Sequence, residues 1–236
     1  MSLAGRTSFA RRETDALELM DDPGCDPALL DRTYGQFRAV NRLVAGWRGL
    51  YVGVLRPVLA MSAHPTLLDV GFGGGDVPRR LARWARDDGL DLGVTAVDPD
   101  ERAVAHVSRL PAGPVTYRRA SSADLVAEGR RFDVVVSNHL LHHLDPAALQ
   151  SVLADSEQLA ARLALHSDLR RSAVAYGAYA VVTRPLARSS FLHADGLLSI
   201  RRSYRPHELA AVRPGWTVRP AAPFRLLLQH VPDGAR

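Results

Sequence analysis

Lysine is absent from this chain: all 30 residues in its Lys and Arg count are arginine. That gap excludes a P-loop, whose lysine reaches the nucleotide phosphates, and any Schiff-base chemistry. Cysteine is almost absent too, and the single Cys25 allows no internal disulfide and fits a reducing cytoplasm. Long apolar runs are missing, each being broken by Arg or Gly, so no membrane span is expected. The stretch around Arg11, Arg12, Glu13 and Asp15 lacks the apolar segment of a secretory signal. These absences predict a cytoplasmic protein. With 47% of its 236 residues hydrophobic, the chain can bury a full core, most economically as one domain with an extension. A formal charge of +5 and a pI near 10.0 raise the question of nucleic acid. The Arg-Arg pairs at 11–12, 79–80, 118–119, 130–131, 170–171 and 201–202 are scattered, however, and form no phosphate-tracking stripe, so no nucleic-acid partner is expected.

What is present centres on Leu67-Leu68-Asp69-Val70-Gly71-Phe72-Gly73-Gly74-Gly75-Asp76, a short apolar strand running through an acid into a glycine turn. Glycines at 71, 73 and 75 can take backbone angles closed to other residues and let a flat ligand approach the main chain. A dinucleotide fingerprint, G-x-G-x-x-G, fails in both frames: from Gly71 its last position falls on Asp76, and from Gly73 on Pro78. The pattern that fits is D-x-G-x-G-x-G from Asp69 to Gly75. An Asp at either end of the turn repels a pyrophosphate and suits a cationic ligand. A second strand, Leu92 to Asp98, follows after one helix expected over Val77 to Ala85, with Pro78 in its first turn. Its terminal acid stands where βαβ nucleotide folds bind ribose hydroxyls.

The strand, acid and glycine turn resemble the first motif of the class I S-adenosylmethionine-dependent methyltransferases, and the overall look is similar to their bacterial small-molecule members. The resemblance implies an α/β, Rossmann-like fold: a mostly parallel seven-stranded sheet with helices on both faces and an N-terminal helical extension. It further implies S-adenosyl-L-methionine as methyl donor, with S-adenosyl-L-homocysteine as product. Asp69, Gly71, Gly73, Gly75, Asp98 and Pro99 are its candidate contacts. The family's adenine-binding acid falls here on Ser121, so Ser121, Ser122 or Asp124 would take that place. Asn138, after the strand Phe132 to Ser137, belongs to the segment that faces both donor and acceptor.

That segment continues as His139-Leu140-Leu141-His142-His143-Leu144. The i, i+3, i+4 spacing invites a metal reading. With Asp145-Pro146 opening a helix after the histidines and no carboxylate or cysteine at ligand spacing, no metal is expected. One of His139, His142 and His143 is instead a candidate general base, since imidazole titrates near neutrality. A fifth strand, Arg162 to His166, adds His166 and Asp168 as further candidates, and places Arg170 or Arg171 to hold an anionic acceptor.

Residues 1–64 read as helical, opened by Asp26-Pro27 and carrying apolar residues near helical period. The resemblance makes them a cap over the active site, with Tyr34, Phe37, Trp47 and Tyr51 as pocket candidates. Residues 65–236 form the α/β core. Within it an acceptor-pocket insertion is expected around 172–205: a helix over Ser172 to Thr183 bearing Tyr176 and Tyr179, a loop from Pro185 to Gly196, and a capped helix at Ser203. A closing hairpin pairs Trp216 to Arg219 with Phe224 to Leu228. The implied activity is methyl transfer to a small, aromatic or apolar acceptor, first of all an oxygen of a phenolic, quinol or polyketide-like metabolite. An NAD-linked oxidoreductase, a nucleic-acid methyltransferase and a non-catalytic cofactor-binding protein remain as alternatives.

Overall fold

Apolar residues alternate between two cores along the central strands, which fixes where the sheet lies. Leu67, Val134, Val136, Leu163 and Leu165 point to one face, whereas Leu68, Val70, Val135 and Ala164 point to the other. Strands buried on both faces read as continuous apolar runs, as parallel strands covered by helices should. The computed structural model of the protein describes residues 9–233, and the outermost parts of the two expected segments lie outside the described residues.

The strands are β1 (Thr66–Val70), β2 (Gly93–Asp98), β3 (Val115–Arg119), β4 (Phe132–Asn138), β5 (Ala160–Leu169), β6 (Thr217–Ala221) and β7 (Arg225–His230). They form one sheet in the order β3-β2-β1-β4-β5-β7-β6, with β1 to β5 parallel and β7 inserted antiparallel between β5 and β6. The chain order reverses between β1 and β4, so the crevice above their carboxyl ends is the position at which open α/β sheets bind ligands.

Helix α1 (Pro27–Val44) starts where Asp26 accepts hydrogen bonds from the Ala28 and Leu29 amides. A second helical stretch runs through α2 (Trp47–Leu50), a π turn (Tyr51–Leu55) and α3 (Arg56–Leu59). It packs with α4 (Asp76–Asp87) on the Leu67 face, while α5 (Glu101–Ser108) covers Ala96 at the same side of the sheet. Helices α6 (Ser122–Ala127) and α7 (Pro146–Leu159) cover the Leu68 face. The remaining helices are α8 (Ala173–Thr183), α9 (Leu192–Arg202) and α10 (Pro206–Ala210).

Three boundaries differ from the sequence expectation. Strand β5 is longer than Arg162 to His166, and α7 passes into it without an intervening turn. Ser167 and Asp168 are thus strand residues. Helix α9 begins inside the expected Pro185–Gly196 loop, its first amides being met by side chains: Phe191 N–H donates to Thr33 Oγ1 at 3.0 Å and Leu192 N–H to Ser190 Oγ at 3.2 Å. Among the described residues no helix is long and apolar enough to cross a membrane.

Arginine holds residues 9–16, and Asp195, accepting from the Leu19 and Met20 amides at 2.7 and 2.9 Å, holds the turn that follows. Arg171, 4% exposed, donates to the carbonyls of Phe9 and Ser203 and pairs with Glu208. Arg202 donates to the carbonyls of Ala16 and His143, and Arg12 to that of His142. The anion-holding role expected of Arg170 or Arg171 is therefore corrected for Arg171, because its guanidinium is spent on the main chain and a carboxylate.

Candidate functional site

The turn after β1 is built by glycines for two different reasons. Gly71 and Gly73 have φ of +75° and +49° and line a cavity of about 280 Å³ at the switch point. Gly75, with φ of +70°, lies outside the cavity lining: a Cβ there would meet Tyr117 Oη at 2.7 Å and Val107 Cγ1 at 2.9 Å, so its smallness serves packing. Asp98, at the end of β2, accepts from Gly73 N–H at 2.9 Å through Oδ2 and from Asp100 N–H at 3.0 Å through Oδ1. It thereby ties the turn to the next strand.

Of the six carboxylates that line this cavity, four, Asp69, Asp76, Asp98 and Asp100, belong to the glycine turn and the end of β2. Asp69 is 2% exposed and its Oδ1 has no partner. Burial, reinforced by Asp76 and Asp98, pushes its carboxyl well above the ordinary range. Burial also raises Asp76 and Asp98. An orphaned buried carboxylate among like charges is costly in isolation and fits a cationic ligand. The same ring opposes a pyrophosphate.

The opposite wall carries the histidines. His142 is buried; its Nδ1–H donates to Asp168 Oδ1 at 2.6 Å, its backbone N–H to Asp168 Oδ2 at 2.9 Å, and its Nε2 has no hydrogen-bond partner. Burial alone would raise Asp168, yet His142 holds it well below the usual carboxylate range. His143 Nδ1 lies 3.1 Å from Asp21 Oδ2. Burial would lower this ring, but Glu18 and Asp21 overcome that and push it up to about 9. His139, at φ +58°, lines the cavity with its Nε2 accepting from Arg225, and burial followed by the Arg225 charge drives it well below its usual value. Its ring is engaged by a cation and is a poor proton acceptor. Asn138 Oδ1 accepts from Trp47 Nε1 at 3.1 Å and Arg225 Nη2 at 2.6 Å.

Several expected residues do not reach the cavity. His166 sits under the sheet, its Nδ1 2.7 Å from Ser137 Oγ and its ring stacked on Trp216 at 5.3 Å, so a catalytic role for it is corrected. Ser121 caps α6 in a reciprocal pair with Asp124, and Ser122 Oγ donates to Asp155 at 2.6 Å; neither lines the cavity. Of the pocket aromatics, Tyr34 and Phe37 line it, but Trp47 and Tyr51 belong to the core beneath α4. Tyr179 Oη donates to Leu192 O, and Tyr176 packs on Phe9, both outside the cavity lining. Pro99 does line it. Sequence reasoning missed Glu18, Asn41 and Arg225, none of which carries a local signal, whereas Asp76, read as the acid at the far end of the turn, does line the cavity.

His166 yields a stability prediction. Burial depresses its pKa to about 4, so the unfolded chain takes up a proton near 6.5 while the folded chain resists until about 4. Its contribution is intact above 6.5 and is lost as pH falls through that window, by roughly 3 kcal/mol in total. In urea unfolding, a His166→Gln variant should show a flatter decline of stability between pH 6.5 and 4 than the parent. Parallel curves would refute this.

A groove of about 1150 Å³ adjoins the glycine side of the cavity, sharing Tyr34, Asn41, Gly74 and Asp76, and is lined by Arg38, Arg42, Arg48, Arg79, Arg80 and Arg83. Glu18, His142 and His143 are not among its walls.

Residues 67–162 match the family model of a methyltransferase domain. Over 80 residues the chain is 40% identical to the ubiquinone biosynthesis O-methyltransferase of Methylobacterium sp. (strain 4-46), covering 34% of this chain and 30% of that protein. The chain thus spans about a third of the length of the curated relatives it matches. Among solved structures, the plantazolicin methyltransferase BpumL in complex with a triazolic desmethylPZN analog and SAH is similar with a TM-score of 0.57 at 11% identity, over 86% of this chain and 94% of that one. Magnesium protoporphyrin IX methyltransferase (ChlM) from Synechocystis PCC 6803 with bound SAM gives 0.53 at 17% identity, over 94% and 100%. At such identities the likeness is one of fold.

Proposed function

We propose, from the premise that the chain belongs to the class I S-adenosylmethionine-dependent methyltransferases, that it transfers a methyl group from S-adenosyl-L-methionine to an oxygen of a small, flat acceptor. The carrying observation is the carboxylate ring around the glycine turn, with Asp69 Oδ1 unpartnered. When bound, the donor's sulfonium supplies an already electrophilic methyl carbon. Asp98 and Pro99 would hold the ribose end, Gly71 and Gly73 the close approach, and Asn138 the edge towards the acceptor. Of the expected 1–64 cap, the part from Glu18 to Asn41 acts as one, since Glu18, Met20, Tyr34 and Phe37 all line the cavity, whereas Trp47 to Leu59 pack on the Leu67 face of the sheet. Tyr34, Phe37, Phe72 and Leu140 favour an apolar or aromatic ring, such as a phenol or quinol. The protein's task is to align oxygen with methyl and to exclude water. His142, oriented by Asp168, keeps an unpartnered Nε2 buried beside Glu18 on the cavity wall, and would serve as base for an acceptor hydroxyl that reaches it. The reading places the enzyme in the cytoplasm.

The test is twofold. Calorimetric titration should show binding of S-adenosylmethionine and none of NAD, and a panel of phenols, quinols and pyrones should give at least one product heavier by one methyl. Binding of NAD, or donor binding with no acceptor consumed across the panel, would reject the proposal. The arginine groove favours one second reading, a nucleic-acid acceptor; RNA or DNA binding that falls linearly in log affinity with log salt would establish it.

A further inference from the structure

Glu18 faces the two adjacent histidines at ion-pair rather than hydrogen-bond distance, so a cation bound there would take the place of the proton that His143 otherwise holds. Its side chain is 1% exposed, with Oε1 3.7 Å from His142 Nε2 and Oε2 3.8 Å from His143 Nε2. One donor atom from each residue can be chosen so that all lie within 4.8 Å of one another. The gaps are too long for hydrogen bonds and too short to admit a bridging water. Donor atoms around a tetrahedral zinc ion lie about 3.4 Å apart, a few tenths of an ångström below these two separations, and a set with one donor from each residue, spanning up to 4.8 Å, would draw inward to close on an ion. The supporting groups are in place as well. Asp168 holds His142 Nδ1, Asp21 holds His143 Nδ1, and Ser199 Oγ donates to Glu18 Oε1 at 2.8 Å. Carboxylates that grip the far nitrogen of an imidazole are the usual outer partners of metal-bound histidine. His142 Nε2, fully buried and without a hydrogen-bond partner, points to the same spot. Arg12 and Arg202 approach only the backbone carbonyls of His142 and His143 and leave the ring nitrogens free of them.

We propose that Glu18, His142 and His143 bind a divalent transition cation of the zinc class through the carboxylate and the two Nε2 atoms. Two imidazoles and one carboxylate suit zinc, cobalt or manganese better than magnesium or calcium. Three protein ligands leave a position open, and all three residues line the cavity, so the open position faces the acceptor side. On the methyltransferase reading, the acceptor's oxygen would bind there and give up its proton more readily. The cation then takes the Nε2 lone pair otherwise offered to the hydroxyl, so the two roles of His142 are exclusive. The sequence expectation of no metal rested on the lack of a carboxylate at ligand spacing, and Glu18 supplies one from far upstream.

The test uses the full chain without an affinity tag, stripped by chelator and titrated with Zn²⁺ and Co²⁺ by calorimetry, with the visible cobalt spectrum as a second readout. One equivalent should bind per chain. Glu18→Gln and His143→Gln should each weaken binding at least tenfold and erase the tetrahedral cobalt bands, whereas His64→Gln, at an exposed site, should change neither. Circular dichroism checks each variant's fold; should Glu18→Gln not fold, His143→Gln carries the comparison, its ring being partly exposed. Absent or unsaturable binding, or equal affinity in parent and His143→Gln, overturns the proposal. A parallel titration with S-adenosylmethionine separates the two ideas: donor binding without cation binding removes the cation site alone, and cation binding without donor binding removes the methyltransferase reading alone.

Discussion

Asp98→Ala should weaken S-adenosylmethionine binding by about 100-fold or more, the largest loss expected from any single carboxylate of the site. Asp98 does two things at once. Its oxygens accept from the Gly73 and Asp100 amides, and its charge faces the cavity at the position suited to ribose hydroxyls. Alanine leaves both amides without their acceptor and removes the charge. Two ribose hydroxyls donating to this charged carboxylate would contribute about 1.5–3 kcal/mol each, and about 1.4 kcal/mol is a decade of affinity, so losing both exceeds two decades, with the slackened turn adding to the loss. Asp98→Asn keeps one acceptor oxygen and should lose roughly tenfold. His142→Ala and His143→Ala should leave donor affinity nearly intact and slow turnover instead. Calorimetry on the four variants decides. Should Asp98→Ala bind donor within threefold of the parent, or His142→Ala lose as much, the assignment of the two walls is wrong.

Much of the donor wall was legible because it is local. Parallel strands buried on both faces must be short apolar runs, and ligand contacts must come from the loops at their carboxyl ends, so Asp69 and Asp98 stand out as acids that close such runs. The failures are also physical. Ser121 was weighed for adenine, yet Ser121-Ser122-Ala123-Asp124 is a helix-capping pattern, and the cap won. Gly75 looked like part of the ligand cradle, but Tyr117 from β3 occupies the space its side chain would need. Glu18 and Arg225 were invisible for a different reason. Glu18 is carried by a segment held by arginine-to-carbonyl bonds before it and by the Asp195 carboxylate after it, contacts that impose no period on the sequence. Arg225 reaches Asn138 and His139 only because β7 runs antiparallel beside β5, a pairing between residues far apart in the chain.

Asp168→Asn should lower kcat by about 10- to 100-fold while changing donor affinity and KM little. Asp168 lies outside the cavity lining; it positions His142, accepting from that residue's ring and backbone and from the Leu169 amide at 2.6 Å. Asparagine has nearly the same shape but presents an NH₂ where an acceptor is required, so one of these donors loses its partner and the imidazole loses the anion that fixes which nitrogen faces the cavity. Outer carboxylates of this kind cost 10- to 100-fold when altered, whether the imidazole serves a metal or a proton. The buried unpaired donor should also reduce stability by about 1–3 kcal/mol. A general loosening of the fold would raise KM and weaken donor binding along with the fall in kcat. The prediction is therefore the split itself: a large fall in kcat with binding preserved identifies orientation of His142 as the task of Asp168, and a proportional decline in all three would assign Asp168 to the scaffold alone.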